Sequence, residues 1–469
     1  MKKLTTLLTV LLLCSFLSAQ RKFDVKIKCN EHQNEQPTLS VYLPVDGKNT
    51  GRAILALPGG AYSHLAINHE GHDWAPFYND LGIAYAVLQY RMPNGNKNIP
   101  INDALGAMKT LRDSAEVWNI NPYDIGIMGS SAGGHLASTI ATTAPYTLRP
   151  NFQILFYPVI SMELGKSHTG SVHSLLGKNP TMEEQRKYSN EKNVMRHLTP
   201  PALLLLSQND LVVPVSNSIN YFNALSHHDV PASMHIYPSG NHGYGCNKNF
   251  EYHQQMLNDI TIWLTNLKTH HKDDIRIACI GNSITDGFGI PFSEQFGYPA
   301  LLNNMLGEGY TVKNFGVSAH TLLKKGDLPY MGHPAYQACK DYNPDIVIIK
   351  LGTNDSKPHN WQHKDDFAKD LQFMIDELKS LPAKPEIYLT YPIPVSKDNY
   401  GITDSVMVNG IRPIINKVAK KNKLQIIDLY SPLKGHDNWM MSDGIHPNRE
   451  GVRVMAETVK KAIESKLRK

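Results

Sequence analysis

The chain has 469 residues, of which 41% are hydrophobic and 19% are charged, so it carries enough apolar material for more than one folded core. Its formal net charge is only +5, and no dense basic cluster stands outside the N-terminal Lys2 and Lys3, which argues against a nucleic-acid-binding surface. No internal repeat of about 20–50 residues is present, which argues against solenoids and propellers.

The first 20 residues have the organisation of a secretory signal peptide. The stretch "MKKLTTLLTVLLLCSFLSAQ" has a basic start, a short apolar run and small residues at Ser18 and Ala19, and the run is too short to span a membrane comfortably. We expect cleavage near Ala19 or Gln20 and a secreted or periplasmic mature protein with no integral membrane segment. Cys14 follows the large Leu13, which argues against anchoring as a lipoprotein.

Residues 21–267 are predicted to form a first α/β domain. Its strands and helices are read in "RAILALPGG", "GIAYAVLQYR", "INDALGAMKTLRDSAEVW", "DIGIMG", "HLASTIATTA", "FQILFYPVI", "ALLLLS", "ASMHIYP" and "YHQQMLNDITIWLTNL". Unbroken apolar strands alternating with helices indicate a mainly parallel sheet covered on both faces. The polar stretch 161–200 interrupts this rhythm, and either a cap over a site or a plain surface insertion would explain it.

A second α/β domain, residues 275–469, is predicted after the polar and aperiodic stretch "KTHHKDD", residues 268–274, which we interpret as a linker. Its strands and helices are read in "IRIACIG", "YPALLNNMLG", "YTVKNFG", "PDIVIIKLG", "DDFAKDLQFMIDELKSL", "EIYLTY", "INKVAKKN", "LQIIDLY" and "GVRVMAETVKKAIESKL". The alternation is complete enough for an independent domain rather than an appendage.

The cysteines left after the predicted cleavage do not indicate a zinc site or a disulfide framework. They are Cys29, Cys246, Cys279 and Cys339, which are sparse and contain no CxxC pair. One disulfide could form in an oxidising compartment, but the sequence does not place it.

The first candidate site is a serine at a strand-to-helix turn. Residues 129–133 form a GxSxG, whose glycines permit a tight turn that lifts Ser131 to the top of the sheet. A serine hydroxyl is a weak nucleophile until a base takes its proton. Asp210 follows the strand "ALLLLS", and His242 lies in a glycine-rich loop after the next strand. This order of serine, acid and histidine predicts a catalytic triad.

The oxyanion formed in acyl transfer needs backbone donors, and Ala132 offers one N–H while "LPGGAY" offers another from Gly60 or Ala61. With "LPGGAYSHLAINHEG", "GSSAGGHLAST", "FYPVIS", "TPPALLLLSQNDLVVPVSNS" and "GNHGYG", residues 50–266 resemble the acetylesterase/lipase branch of the α/β-hydrolases. The resemblance implies that fold and serine-esterase activity, in a branch that includes members acting on plant polysaccharide esters.

The first domain departs from that branch in one loop. Where the branch has His-Gly-Gly-Gly, residues 58–61 read Pro-Gly-Gly-Ala, which leaves the particular backbone donor open. His64, His69 and Glu70 lie just beyond. Their spacing could suggest a metal, whereas a loop packed against the mouth of the site is the interpretation we favour.

A second serine, Ser283, follows the strand "IRIACI" and lies outside any GxSxG. The loop "MSDGIHPNREG" supplies Asp443 and His446 three residues apart, so one loop offers both the base and the acid that orients it. The Ser283 N–H, the Gly316 N–H and the side-chain amide of Asn354 are predicted to surround the oxyanion. The sequence therefore predicts a second acyl-transfer site.

Together with "NFGVSAHT", which contains Gly316, and "IIKLGTND", which contains Asn354, these stretches form four blocks that resemble the SGNH hydrolases, also called GDSL esterases. The family's serine, glycine, asparagine and histidine fall on Ser283, Gly316, Asn354 and His446. The resemblance spans residues 273–469 and implies a flavodoxin-like three-layer fold and ester hydrolysis. Asn282 replaces the aspartate of many members, which leaves open what holds this loop, and Ala319 stands where a glycine often follows the serine of its block.

Two serine sites on one exported chain suggest a substrate with several esters of one kind. We predict a bifunctional carbohydrate O-acetylesterase, with acetylated xylan or a similar hemicellulose as substrate and binding partner. Alternatives are a sialate O-acetylesterase, a feruloyl esterase, a lipase or a general carboxylesterase. In a different class, one domain would be inactive and would bind glycan. Neither mechanism needs a metal or an organic cofactor, and the oligomeric state is not read from the sequence.

Overall fold

The computed structural model describes residues 21–28, 36–45, 47–268 and 270–467. The predicted signal peptide, residues 1–20, lies outside the described residues, as does Cys29. The other three predicted cysteines are present as free thiols. Within the described residues, no helix combines the length and the apolar character that crossing a bilayer requires.

The first half of the structure is built on an eight-stranded sheet. Its strands are β1 Arg21–Lys26, β2 Thr38–Leu43, β3 Ala53–Leu57, β4 Ala84–Gln89, β5 Ile125–Ser130, β6 Gln153–Phe156, β7 Ala202–Ser207 and β8 Ala232–Tyr237. Its helices are α1 Ala75–Asp80, α2 Asn98–Asp113, α3 Ala132–Thr143, α4 Thr169–Leu176, α5 Met182–Lys187, α6 Ser216–His227 and α7 His253–Asn266. The strand order is β1-β2-β4-β3-β5-β6-β7-β8.

The sheet is parallel from β4 to β8 and antiparallel at one edge, where β1 pairs with β2 and β2 with β4. The alternation of buried residues along β3 shows why both faces are covered. Leu55 and Leu57 pack into one apolar cluster with α2 and α3, whereas Ile54 and Ala56 pack into another with α1 and α7. Successive side chains of a strand point to opposite faces, so an unbroken apolar strand serves two cores.

The second half is built on a five-stranded sheet in which every strand pair is parallel. Its strands are β9 Ile275–Gly281, β10 Tyr310–Gly316, β11 Ile346–Lys350, β12 Glu386–Thr390 and β13 Gln425–Ile427, in the order β10-β9-β11-β12-β13. Its helices are α8 Ser283–Asp286, α9 Ser293–Phe296, α10 Tyr298–Leu306, α11 Pro334–Tyr342, α12 Pro358–Trp361, α13 Phe367–Lys379, α14 Asp404–Val406, α15 Arg412–Asn422 and α16 Arg449–Leu467.

This sheet too is covered on both faces. On β9, Ala278 and Ile280 belong to one apolar cluster, while Ile277 and Cys279 belong to the other. The predicted fold class, two α/β domains with mainly parallel sheets, is confirmed. The two antiparallel edge strands β1 and β2 were not predicted.

Candidate active sites

Ser131 lies at the turn between β5 and α3 with a backbone φ of 53° and ψ of −121°. This is strained for a non-glycine residue, and it makes the side chain stand out from the sheet edge. The flanking glycines allow the close packing around it. A Cβ on Gly129 would lie 2.2 Å from the Gly133 oxygen, and one on Gly133 would lie 2.0 Å from the Leu57 oxygen. Both contacts are with backbone, which cannot move aside cheaply.

The structure brings the three residues of the first predicted triad together. His242 Nε2 lies 2.8 Å from Ser131 Oγ, and His242 Nδ1 lies 2.6 Å from Asp210 Oδ2. Asp210 follows β7 and also accepts hydrogen bonds through Oδ1 from the backbone N–H groups of Val212 and Val213 at 2.8 and 2.9 Å. These two backbone hydrogen bonds hold the Asp210 carboxylate in the position from which it orients the imidazole.

The loop after β3 lies directly against this triad. A Cβ on Gly59 would be 2.9 Å from Ser131 Cβ. Gly60 and Ala61 have φ values of 127° and 55°, so this turn is in the positive-φ region. The N–H groups of Gly60, Ala61 and Ala132 make no hydrogen bond within the described part of the chain. They remain available as oxyanion donors.

Two buried side chains connect the loops of the first site, and the sequence analysis did not identify either role. The Gly59 N–H donates to Glu70 Oε2 at 2.8 Å, and the Tyr157 hydroxyl donates to Glu70 Oε1 at 2.8 Å. The Gly245 N–H donates to the same hydroxyl at 2.8 Å. The Tyr157 ring meets His242 edge-on, with ring centroids 4.8 Å apart. Burial, followed by the Glu70 charge, raises the pKa of Tyr157 well above its usual value, so the phenol stays a donor.

Glu70 therefore binds both the loop of residues 58–61, which we call the oxyanion loop, and Tyr157, whose ring packs against His242. The described residues contain no cluster of three or more His, Cys, Asp or Glu side chains arranged to hold a metal ion. Tyr157 follows β6 in the motif "FYPVIS" and so shares the strand-end position of the triad residues. The position of Tyr157 directly after a strand could have identified it from the sequence as a residue of the site. Nothing in the sequence distinguishes Glu70 except its closeness to residues 58–61.

The interrupting segment 161–200 contains α4 and α5 and borders the first site. His168 caps α4 through its ring, which accepts from the Ser171 N–H at 3.2 Å. Burial and then the charge of His242 lower the pKa of His168, which places this residue within electrostatic range of the triad. At least this part of the segment is located beside the site.

The second predicted triad is also assembled. His446 Nε2 lies 2.8 Å from Ser283 Oγ, and His446 Nδ1 lies 2.6 Å from Asp443 Oδ2. Asp443 Oδ1 accepts from the backbone N–H groups of Ile445 and His446 at 2.9 and 3.0 Å. Burial alone would raise the pKa of Asp443, but these hydrogen bonds and the imidazole outweigh it, and the pKa lies below its usual value. The exposed ring of Phe288 packs against the His446 ring, with the two ring centroids 4.6 Å apart.

The predicted oxyanion donors of the second site have different surroundings. The Gly316 N–H donates to Asn314 Oδ1 at 2.8 Å, so it is already occupied. The side chain of Asn354 donates through Nδ2 to the His320 oxygen at 3.1 Å, which places that amide beside the turn at residues 318–320. In this turn Ala319 has a φ of 66°, and its N–H makes no hydrogen bond in the described residues. Asn282, whose role the sequence left open, caps α8 by accepting from the Ile284 N–H.

Comparison with known proteins finds a separate family match in each of the two domains. Residues 279–454 match the GDSL-like lipase/acylhydrolase family, and residues 87–268 match the prolyl oligopeptidase family, which has an α/β-hydrolase fold. The chain is 45% identical over 473 residues to an acetylxylan esterase of Xylanibacter ruminicola, with 97% of this chain and 98% of that protein covered. The chain belongs to the same family as this acetylxylan esterase.

The full-length relative and the two family matches show the enzyme class. The chain is a serine carboxylic-ester hydrolase with an N-terminal α/β-hydrolase domain and a C-terminal GDSL domain. It is also 34% identical to endo-1,4-beta-xylanase B of Butyrivibrio fibrisolvens, over 44% of this chain and 34% of that protein. Among solved structures, an acetyl ester-xyloside bifunctional hydrolase of Caldicellulosiruptor lactoaceticus is 32% identical over 52% of this chain and 96% of its own, with a TM-score of 0.49.

Proposed function

We propose that the protein is a bifunctional carbohydrate O-acetylesterase that removes acetyl groups from acetylated xylan or a similar hemicellulose at two independent serine sites. The observation that carries the proposal is the presence of two assembled Ser-His-Asp triads in one chain, each with Nε2 2.8 Å from its serine hydroxyl. The full-length similarity to an acetylxylan esterase supports the choice of substrate.

Each site is proposed to act by the same two steps. The serine Oγ forms a bond to the acetyl carbonyl carbon while its proton passes to the histidine Nε2. The tetrahedral intermediate collapses, and the histidine returns this proton to the departing sugar oxygen, which leaves an acetyl-serine. Water then attacks the acetyl-serine with the histidine as base, and acetate is released. Ser131 with His242 and Asp210 does this in the first site, and Ser283 with His446 and Asp443 in the second.

The oxyanion is stabilised by different groups in the two sites. In the first site we assign the N–H groups of Ala132 and of Gly60 or Ala61, which have no hydrogen-bond partner among the described residues. In the second site we assign the Ser283 N–H, the Asn354 amide and the Ala319 N–H. Ala319 replaces Gly316 in this proposal because the Gly316 N–H already donates to Asn314.

Two sites on different scaffolds suit a polymer that carries acetyl groups at several hydroxyls, because one pocket cannot present every ester in line with its nucleophile. Export is part of the proposal, since a polysaccharide substrate lies outside the cell and residues 1–20 have the pattern of a signal peptide. N-terminal sequencing of the protein recovered from its native host would test export, because removal near Ala19 would expose a new N-terminus.

The decisive experiment compares acetate release from acetylated xylan by the wild type, Ser131→Ala, Ser283→Ala and the double variant. Each single variant should keep part of the activity, and the double variant should lose at least about 10³-fold. NMR of the residual substrate should show different acetyl positions retained by the two single variants. Acetate release that survives in the double variant would contradict the two-site proposal.

Two further arms distinguish the alternatives. Activity that rises from acetyl to longer acyl or feruloyl esters would favour a lipase, a general carboxylesterase or a feruloyl esterase instead. Loss of all activity in one single variant alone would favour a catalytic domain joined to an inactive, glycan-binding one.

A further inference from the structure

The last residues of the segment 161–200 extend away from the first domain and contact the second domain. Leu198 is buried in the apolar cluster formed by the second sheet, and the partly buried Met195 packs against the same cluster. Next to them, His197 has a φ of 62°, a left-handed conformation that costs free energy for a non-glycine residue. The surrounding contacts hold this backbone in place.

The His197 ring inserts between two carboxylates of the second domain. Its Nε2 lies 2.8 Å from Asp286 Oδ1, and its Nδ1 is hydrogen-bonded to Glu294 Oε1. The side chain of His197 is only 4% exposed. A neutral imidazole has a single N–H, so only the protonated ring donates to both carboxylates at once. The pKa of His197 agrees: burial would lower it, but the hydrogen bonds that the ring donates to Asp286 and Glu294 raise it to about 9.

Arg196 makes a parallel connection. Its Nε lies 3.0 Å from Asp286 Oδ1. Its Nη2 lies 2.7 Å from Asp229 Oδ2 and also donates a hydrogen bond to Ser293 Oγ. Ser293 in turn donates to Asp229 at 3.2 Å. Two cationic side chains from the first domain thus converge on one carboxylate of the second domain.

Asp286 is the last residue of α8, the single turn of helix that begins at the nucleophile Ser283. Through Oδ2, Asp286 accepts a hydrogen bond from the Ser318 hydroxyl. Ser318 precedes Ala319, and its carbonyl oxygen is 2.8 Å from His320 Nδ1. The same turn is bound by the Asn354 amide. Asp286 therefore connects the nucleophile helix to the turn at the oxyanion position.

We propose that Arg196 and His197 of the first domain are positioning residues for the second esterase site. They hold Asp286 and, through it, the Ser318–Ala319 turn that faces the oxyanion. The inference rests on the proposed function in one respect, namely that Ser283 is a working nucleophile. It makes the first domain a structural component of the second site, although that site's catalytic residues all lie after residue 280.

The test uses the full chain with Ser131→Ala, so that only the second site acts. In this background His197→Gln should lower kcat at least about tenfold, since small displacements of catalytic groups cost large factors in rate. KM for 4-nitrophenyl acetate should change little, because His197 does not contact substrate. Ser318→Ala should have a similar effect. The two changes together should cost less than the product of the single effects, because they act through one connection.

Two controls separate positioning from general damage. Tyr123→Phe removes another contact between the domains, the 3.2 Å hydrogen bond to Arg276, without touching Asp286, and should leave kcat of the second site unchanged. In a Ser283→Ala background, His197→Gln should leave the first site at full activity. Loss of both activities would indicate misfolding and overturn the positioning role.

A second readout does not depend on acetyl turnover. A fluorophosphonate probe forms a bond between Ser283 Oγ and phosphorus with loss of fluoride, and its labelling rate reports the nucleophile and oxyanion donors directly. Slower labelling in Ser131→Ala/His197→Gln supports the inference, whereas an unchanged rate overturns it. If Ser131→Ala is labelled but releases no acetate from acetylated xylan, the proposed substrate of the second site is wrong. The labelling rates with and without His197→Gln then still decide whether His197 positions this site. If Ser131→Ala is not labelled at all, both fail.

Discussion

Glu70 and Tyr157 belong to neither triad, yet they link the oxyanion loop of the first site to its histidine. Glu70 is 3% exposed and accepts one hydrogen bond through each carboxylate oxygen, from the Gly59 N–H and from the Tyr157 hydroxyl. A buried carboxylate with two donors is held rigidly, and rigidity of the surrounding residues is what keeps donors aimed at a transition state. These residues act through others rather than on the substrate.

Glu70→Gln should therefore weaken the first site without abolishing it. The amide has one acceptor oxygen in place of two, so either Gly59 or Tyr157 loses its partner. Because hydrogen bonds to charged groups contribute about 1.5–3 kcal/mol, kcat/KM of the first site should fall by about 10- to 100-fold. The measurement is acetyl ester hydrolysis in a Ser283→Ala background, with Tyr157→Phe expected to behave similarly.

The second site of the same molecule is the control for this change. In a Ser131→Ala background, Glu70→Gln should leave acetate release unaltered, because Glu70 contacts only the first site. An equal loss at both sites would mean that the change acts on folding, and no loss at either would remove the proposed support role.

At the scale of elements, the turn from β5 to α3 requires glycine, because a side chain at Gly129 or Gly133 would collide with the neighbouring backbone. A Cβ at Gly133 would lie 2.0 Å from the Leu57 oxygen and 2.6 Å from the Pro58 oxygen, so the helix would have to move away from β3. Gly133→Ala should destabilise the protein by about 1–3 kcal/mol or more and displace Ser131. First-site activity in a Ser283→Ala background and the thermal midpoint should both fall.

The matched change is Gly332→Ala, at a position where an added Cβ meets nothing within 4 Å. It should alter neither activity nor the thermal midpoint. Full first-site activity in Gly133→Ala would show that the turn tolerates a wider approach than its packing indicates.

The same scale shows what the sequence could predict. The functional serines, acids and histidines all follow predicted strands or precede the last helix, and the structure places them within hydrogen-bond reach. Strand ends were less predictable, since they are set by local backbone geometry. The run "FQILFYPVI" leaves the sheet at Phe156 because Tyr157 has a φ of 32° and Pro158 follows. The run "LQIIDLY" leaves it after Ile427 because Asp428 accepts hydrogen bonds from the N–H groups of two following residues.

Features that depend on contacts distant in sequence were not predictable from one chain. The edge strand β1, "RKFDVK", is short and charged, and it becomes a strand only by pairing with β2. Nothing in "MRHLTP" indicates that His197 would meet two carboxylates about 90 positions later. A local contact matters as well: the Asn314 carboxamide, only two residues away, accepts from the Gly316 N–H, so we assign the oxyanion donor of this turn to Ala319 instead.

At the scale of the whole molecule, the contact between the domains is ionic and buried, so its strength should depend on pH. The groups facing His197 are Asp286 and Glu294, with Arg196 and Asp229 beside them, and Lys313 and His333 within electrostatic range of the two carboxylates. The pKa of His197 is raised from about 6.5 in an unfolded chain to about 9. A raised histidine pKa stabilises the folded state fully below about pH 6.5, and this contribution is lost as the pH rises through about 9.

The prediction concerns the difference in the free energy of unfolding between the wild type and His197→Gln. One pKa unit corresponds to about 1.4 kcal/mol. The difference should therefore be largest near pH 6 and should be smaller by about 3 kcal/mol at about pH 9.5. The difference is the correct quantity because other buried groups titrate in the same window with the opposite sign. Burial lowers the pKa of Lys350 to about 7, so its folded-state cost disappears as the pH rises. Denaturant unfolding at several pH values measures both proteins, and Tyr123→Phe should differ from the wild type by the same amount at each pH. A His197→Gln difference that is equally independent of pH would mean that the imidazole is not protonated between its two carboxylates.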